Sequence, residues 1–360
     1  MAILVLNAGS SSLKASLIEE PGDSTLGATN VDLGGEASPG VRTAVADVIS
    51  QLRSAGHIAA VGHRVVHGGT TFVQPTHIDE QVVARIRELD ALAPLHNAPA
   101  ADVIDAAMTA LPDVAHVACF DTAFHANLPE AWRRYPVPDE WGVRRFGFHG
   151  LSVGWSVERA AELLQRPVAE LALVVAHLGS GSSATAVLAG ASANTSMGMT
   201  PLEGLMMGTR AGSLDPGILL HVMREGRSLE HVADALEHGS GLAGASGTGS
   251  DVRQLETAAG EGDARAALAL EMYTVRAAAG IAAMAASLPR LDALVFTGGI
   301  GEHSHGMRAA ICQRLAVLGI GAPSRPDSDA DAVLGSGHGP AVLRITARED
   351  IVIARQVNGQ

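Results

Sequence analysis

The chain has 360 residues, 47% of them hydrophobic and 18% charged, which is long enough for two cores and too apolar for wholesale disorder. A net charge of −13 at pH 7 makes a poor binder of polyphosphate backbones and argues against a nucleic-acid partner. Cys119 and Cys312 stand in no metal-like spacing and read as two reduced, buried thiols of a cytoplasmic protein.

The chain opens on an apolar run, Ala2 to Leu6, too short for a leader segment and read as a strand. Leu13, Ala15 and Leu17 alternate, so Asn7 to Ser12 is the tip of a hairpin. The stretch from Pro21 to Pro39, rich in Gly, Pro, Ser and Asp, is expected to be a surface loop. Val41 to Arg53 has helical periodicity, and Ala59 to Val66 is expected to be a buried strand. Asp79 to Ala91 and Ala98 to Ala110 read as helices, Val114 to Phe120 as a strand running into Asp121, and Leu151 to Gln165 as a helix. The boundary between halves is expected near Gly150.

Leu171 to Leu178, the turn Gly179 to Ser183, and Ala184 to Leu188 repeat the opening hairpin. Asn7-x-Gly9-Ser10-x-Ser12 aligns with His177-x-Gly179-Ser180-x-Ser182, 170 residues later. This is a trace of internal duplication, with a Gly/Ser-rich hairpin tip in each half. Helices follow at Asp215 to Arg224, Leu229 to His238 and Ala264 to Ala286. The last is alanine-rich, and its interruption by Gly280 and flanking Pro289 make it a buried helix rather than a membrane span. Leu291 to Phe296 is a strand ending in the loop Thr297 to Gly301. His305 to Leu318 is a helix, Ala322 to Pro340 a loop, Val342 to Ile345 a strand and Glu349 to Val357 a terminal helix. Strands and helices alternate, so the class is α/β.

Two dinucleotide-like glycine patterns lack their context. The one at Gly239 follows a helix, and the one at Gly179 leads into a strand rather than a helix, so neither aims a helix at a pyrophosphate. The pairs His63/His67 and His303/His305 have no third ligand nearby and read as hydrogen-bonding histidines. Polar clusters do stand just after apolar strands, where α/β proteins place ligands. Arg64 and Arg210 are both framed by glycines, and a guanidinium fork suits a planar oxyanion.

The motifs Ile3-Leu4-Val5-Leu6-Asn7-Ala8-Gly9-Ser10-Ser11-Ser12-Leu13-Lys14, Gly62-His63-Arg64-Val65-Val66-His67-Gly68-Gly69, Phe120-Asp121-Thr122-Ala123-Phe124-His125, Gly204-Leu205-Met206-Met207-Gly208-Thr209-Arg210 and Glu349-Asp350-Ile351-Val352-Ile353-Ala354 occur together. With them the chain resembles the acetate kinase family, of the acetate and sugar kinase, Hsp70 and actin superfamily, over essentially its whole length. The resemblance implies two duplicated ribonuclease-H-like domains with the active site in the interdomain cleft. The first domain would be 1–150 plus the C-terminal helix 346–360, and the second, nucleotide-binding domain 151–345. It implies a homodimer that transfers phosphoryl from ATP to acetate, yielding ADP and acetyl phosphate, with Mg²⁺ or Mn²⁺ and without nucleic acid or membrane.

By the same resemblance, Asn7 and Glu349 hold the metal, and Ser10, Ser12 and Lys14 form a first phosphate loop. Arg64 and Arg210 grip carboxylate and phosphoryl, Asp121 orients Arg64, and His149 donates to the phosphoryl in flight, with His96 and His177 nearby. Val66, Leu95, Phe148 and Pro201 line the methyl pocket. His177, Gly179, Ser180 and Gly181 form the second phosphate loop, and Asp251, Val252, Arg253, Gly298, Gly299 and Ile300 the adenosine site. The chain departs from the family at Ser180 and His303, where Asn is usual, and at Ser213, where Asp is usual. A serine reaches less far and offers one donor. A propionate, butyrate or pyrophosphate-using kinase of the same family is one alternative, and a non-catalytic nucleotide-binding switch protein another. The arginines and histidines come without a nucleophile–base pair, which fits direct transfer.

Overall fold

The structure, a computed structural model, describes residues 1–9, 12–33, 40–93, 96–324, 330–335 and 339–359. The chain falls into two compact units, Met1–Ala126 with Phe148–Ser152 and Arg348–Gln360, and Asn127–Gly147 with Val153–Ala347.

In the first unit, β1 (Ala2–Ala8), β2 (Ser12–Glu19), β3 (Ser24–Asp32), β4 (Ile58–Val65), β5 (Thr76–His77) and β6 (Ala115–Phe120) form one sheet in the order β3-β2-β1-β4-β6-β5. β1 pairs antiparallel with β2 and parallel with β4, β4 runs parallel to β6, and β5 is antiparallel to β6. β1 is apolar from Ala2 to Leu6, as suits a central strand covered on both faces. On one face lie α1 (Val41–Arg53), α2 (Glu80–Glu88) and α3 (Asn97–Ala110). Val45, Val48, Ile49 and Leu52 recur at helical spacing and give α1 its buried stripe.

The Pro21–Pro39 expectation needs correcting, because Ser24–Asp32 is a strand paired along β2. It is a largely exposed edge strand with no long apolar run, and the β2 ladder sustains it. The helix expected over Asp79 to Ala91 ends at Glu88 and tightens into a 3₁₀ turn at Leu89–Leu92.

Next come α4 (Glu130–Arg133) and α5 (Gly150–Leu164). The second unit's sheet comprises β7 (Ala172–Leu178), β8 (Ser182–Leu188), β9 (Ala191–Thr195), β10 (Ala293–Thr297), β11 (Ala332–Gly335) and β12 (Ala341–Arg344), in the order β11-β12-β10-β7-β8-β9. Read from β9, every pairing repeats that of the first sheet, parallel for parallel and antiparallel for antiparallel. Its helices are α6 (Pro216–Arg224), α7 (Leu229–Glu237), α8 (Gly241–Ser246), α9 (Val252–Gly260), α10 (Ala264–Ala285), α11 (Gly298–His303) and α12 (His305–Arg314).

α10 is the one described helix long and apolar enough to cross a membrane, and Ala266, Ala269, Tyr273, Ala277, Ile281 and Met284 place it in the core. Sequence reading misses α8, six residues and mostly small, the short α9, and β11, inside the stretch expected to be a loop. It also takes Thr297–Gly301 for a loop, whereas α11 begins at Gly298.

The chain then returns to the first unit as α13 (Glu349–Asn358). Ile353, Ala354 and Val357 cover the face of the first sheet opposite α1 and α3. A Cβ on Gly62 would lie 2.4 Å from Ile353 Cγ2, so glycine in β4 lets α13 sit down on the strand. That contact fixes the helix whose first residue is Glu349.

Candidate active site

In the first unit, three neighbouring parallel strands end in polar residues. Asn7 on β1 is in register with Arg64 on β4, and β6 runs into Asp121. The Arg64 guanidinium bonds Asp121 through both carboxylate oxygens, Nε to Oδ1 at 3.2 Å and Nη2 to Oδ2 at 2.5 Å. Its Nη1 donates to Asn7 Oδ1 at 3.1 Å, and Nε lies 3.5 Å from Glu349 Oε2. Burial works against the charged Arg64, but the Asp121 and Glu349 carboxylates outweigh it and raise its pKa. Burial likewise pushes the Asp121 carboxyl up to about 6, with Arg64 opposing and Glu349 adding. Asp121 is fully buried, so the pair is a rigid oxyanion clamp.

His149 has φ 59, the left-handed region where a non-glycine side chain is strained, and strain of this kind concentrates at functional positions. The next residue, Gly150, donates its N–H to the Asp121 carbonyl at 2.9 Å, and a Cβ there would lie 2.2 Å from that oxygen. Asp121 and His149 are therefore tied through one backbone contact. Asn97, fully buried, brackets the His67 backbone. Its Oδ1 accepts from His67 N at 3.1 Å and its Nδ2 donates to His67 O at 2.9 Å, which fixes the peptide that follows Val66. Val66 and Phe148 are buried, Ser12 is half-buried and Lys14 is exposed across the hairpin from Asn7. Ser10 and Leu95 lie outside the described residues.

Of the two histidine pairs, His63 and His67 are hydrogen-bonding groups, whereas His305 Nδ1 is buried without a hydrogen-bond partner among the described residues. His63 Nε2 meets His116 Nδ1 at 3.0 Å, and His67 Nδ1 accepts from Gly69 N at 2.9 Å. The expected metal residues Asn7 and Glu349 both touch the Arg64 guanidinium. Both are oxygen donors, which suits a hard cation such as Mg²⁺. Among the described residues no three His, Cys, Asp or Glu side chains are grouped to hold a metal alone, so phosphate and water would complete its shell.

In the second unit the equivalent hairpin tip is shorter. Gly179 N donates to Gly181 O at 2.9 Å, and Leu178 pairs with Ser182, whereas the first tip leaves four residues between Ala8 and Leu13. Ser182 is thus a strand residue. Its hydroxyl is buried between Tyr273 OH at 2.9 Å and the Gly179 carbonyl at 3.2 Å, while Ser180 is exposed at the tip. A Cβ on Gly179 would stand 3.8 Å from Gly299 N, so two bare backbones face each other, and Gly298 turns into α11 at φ +76. His177 lies on β7 in register with Thr297.

Arg210 sits in a loop whose backbone bonds the second hairpin tip, Gly208 N donating to Ser180 O at 3.0 Å. Its Nη1 donates to Pro201 O at 2.9 Å, and burial lowers its pKa while Glu237 opposes. Asp251 caps α9 and pairs with Arg253 at 2.7 Å on the surface, while the Val252 side chain belongs to the core and leaves only its backbone to meet a ligand. Ile300 packs partly against that core. Ser213 closes a turn with Gly204, its Oγ accepting from Gly204 N at 3.2 Å, and His303 is exposed.

A family model described as the acetokinase family matches residues 28–355. The chain belongs to the acetokinase family. The acetate kinase of Deinococcus deserti is 44% identical over 392 aligned positions, covering 99% of this chain and 97% of that protein. The crystal structure of Porphyromonas gingivalis acetate kinase superposes with a TM-score of 0.89 at 34% identity, covering 99% of both chains. That of a propionate kinase from Francisella tularensis superposes with a TM-score of 0.88 at 34% identity, covering 99% of this chain and 98% of that one. This membership accounts for the paired sheets. Sequence reading placed Arg145 in the polar stretch Arg144 to Gly150 but missed Tyr135 and Glu203, which carry no motif and become visible only through the bonds that join them to Arg145.

Proposed function

We propose that the protein phosphorylates acetate reversibly, using ATP and releasing ADP and acetyl phosphate, by direct attack of the carboxylate on the γ-phosphorus. The observation that carries this reading is the Arg64–Asp121 clamp beside Asn7 and Glu349. A carboxylate with a pKa of about 4 is ionised at pH 7 and needs no base. It needs positioning and relief from the charge of a polyphosphate. Arg64 supplies both to the carboxylate, and Arg210 and His149 address the transferred phosphoryl.

Val66, Leu95, Phe148 and Pro201 set the methyl pocket. Ser10, Ser12, Lys14, His177, Gly179, Ser180 and Gly181 address the phosphates, and Asp251, Val252, Arg253, Gly298, Gly299 and Ile300 the adenosine. Asn7 and Glu349 would hold Mg²⁺, which neutralises phosphate charge when bound.

A second copy of the chain would cover an apolar surface in the second unit. Leu268, Met272 and Val275 recur on α10 at helical spacing, and Ile218 and Leu220 on α6; all five are exposed. Arg276, next to Val275, bonds Ser213 O at 3.2 Å, just before α6. A homodimer in the cytoplasm is the assembly this supports, in keeping with the two buried free cysteines.

The test is ATP-dependent acyl-phosphate formation, trapped with hydroxylamine, across acetate, propionate and butyrate. Acetate is expected to be best, with propionate slower, since one methylene is worth ~1–3 kcal/mol in such a pocket. Absence of acyl phosphate with all three would refute the reading.

A further inference from the structure

The segment 196–215, between β9 and α6, has no helix or strand of its own, yet it carries Pro201 and Arg210. The Arg210 guanidinium is anchored on the Pro201 carbonyl, at 2.9 Å, so its orientation follows that carbonyl. The backbone leading into Pro201 is held by side chains from residues 135–145. Arg145 Nη1 donates to three successive carbonyls, Thr195 O at 3.1 Å, Ser196 O at 3.1 Å and Met197 O at 2.9 Å. Tyr135 OH accepts from Met199 N at 2.9 Å.

One carboxylate ties the two holders together. Glu203 Oε1 accepts from Arg145 Nη2 at 2.7 Å and Oε2 accepts from the Tyr135 hydroxyl, while the Arg145 guanidinium lies 5.3 Å from the Tyr135 ring centroid. The loop closes tightly around this carboxylate. A Cβ on Gly198 would stand 1.8 Å from Glu203 Oε2 and 2.1 Å from the Tyr135 hydroxyl, so only glycine fits. Burial, reinforced by Glu203, raises the Tyr135 pKa and keeps the phenol a donor.

We infer that Glu203, clamped between Arg145 and Tyr135, is a positioning residue: it fixes the loop that presents the Pro201 carbonyl to Arg210 and the Pro201 ring to the substrate methyl. The inference rests on the acetate-phosphorylating reading above. Glu203 itself touches neither substrate nor phosphoryl, so its effect reaches the reaction as a displacement of Arg210 and Pro201. A displacement of about 1 Å in a positioning group costs up to ~10²-fold in rate. Because Pro201 shapes the methyl pocket, the displacement also relaxes the choice between acetate and propionate. Loss of stability alone would lower turnover on both acids equally.

The experiment compares wild type, Glu203→Ala, Glu203→Gln and Tyr135→Phe in kcat and KM with acetate and with propionate, alongside Tm and the Kd of an ATP analogue. Glu203→Ala is expected to lower kcat/KM for acetate by roughly 30-fold and for propionate by only about 3-fold, with analogue binding within about twofold. Glu203→Gln, which keeps one acceptor and turns the other into an amide donor without charge, is expected to fall between. If Glu203→Ala fails to fold, Tyr135→Phe removes a single hydroxyl and should still shift the acetate-to-propionate ratio in the same direction, by about 3-fold. A folded variant that keeps the wild-type ratio and kcat, or loses both acids in equal proportion with Tm, overturns the inference while the acetate reading stands. A wild type that forms no acyl phosphate overturns both.

Discussion

The two sheets share one plan and differ in how they hold their charge. At the ends of β1, β4 and β6, the first unit gathers Asn7, Arg64 and Asp121 with Glu349 into a network of direct ion contacts around a buried carboxylate. At the corresponding ends of β7 and β10, the second unit offers His177, Thr297 and glycine backbone, and its arginine rests on a neutral carbonyl. The duplicated scaffold thus provides the same three strand ends twice. One copy becomes a rigid ion-paired cluster and the other a backbone-lined cradle, which under the proposed function would take the small and the larger anion. Where charge is buried, the clamp contributes to stability as well as to binding, and where it is not, the two roles separate.

The largest expected effect breaks that comparison most sharply. Arg64→Ala and Arg210→Ala should each lower kcat by ~10³–10⁵-fold, the scale of a transition-state arginine. Only Arg64→Ala should also cost stability at pH 7, on the order of 3 kcal/mol or more, since it leaves Asp121 buried and unpaired. Thermal melts of the two variants decide this. Equal Tm values would mean that the clamp carries no structural weight.

Acid should separate the units next. His63, His116 and His125 are buried in the first unit, and no histidine among the described residues is buried in the second. Burial lowers all three pKa values, with His125 brought down to about 4. The unfolded chain binds protons from about 6.5 downward while the folded one refuses them. The histidine contribution is therefore full above 6.5 and falls as the pH drops toward 4, by on the order of 3 kcal/mol for His125 alone, while the raised Asp121 carboxyl takes up a proton in the same window and offsets about one histidine. Amide exchange at pH 7 and pH 5, corrected for intrinsic rates, should show β4 and β6 losing protection while β7 and β10 keep theirs. Parallel losses would contradict the assignment.

A third effect concerns the metal. Glu349→Gln should raise the Mg²⁺ concentration for half-maximal activity roughly tenfold, about 1.4 kcal/mol, with nucleotide binding otherwise normal. If raising Mg²⁺ restored nothing, Glu349 would act only by holding Arg64. The smallest effect is at the second tip. Ser180 is exposed and engaged through its carbonyl, so Ser180→Asn adds an amide without crowding. It should tighten ATP or raise kcat by at most ~10-fold. Loss of ATP-dependent activity at unchanged Tm would show a cradle built around serine.

Much of this was legible in the residues. The unbroken apolar runs of β1 and β7, each leading into a glycine–serine turn, betray the duplication, and the identical strand orders carry it through. Asp121 was legible because it directly follows an apolar strand, and Arg64 because glycines frame it in the motif Gly62 to Gly69. β3 was not, because an exposed edge strand has no apolar signature and takes its support from β2. The one-residue difference between the tips was hidden too. Aligning Ser182 with Ser12 follows the letters, while the ladder places Ser182 opposite Leu178 with its hydroxyl in the core. The Tyr135–Arg145–Glu203 cluster joins positions 68 residues apart and leaves no local pattern.

The central claim is single, direct transfer from ATP to the acetate carboxylate, and the stereochemistry at phosphorus tests it. ATP made chiral at the γ-phosphorus with oxygen isotopes would be turned over with acetate and Mg²⁺, and the configuration of the acetyl phosphate determined. One in-line displacement predicts inversion. Retention would mean two displacements through a phosphorylated side chain and would contradict the account.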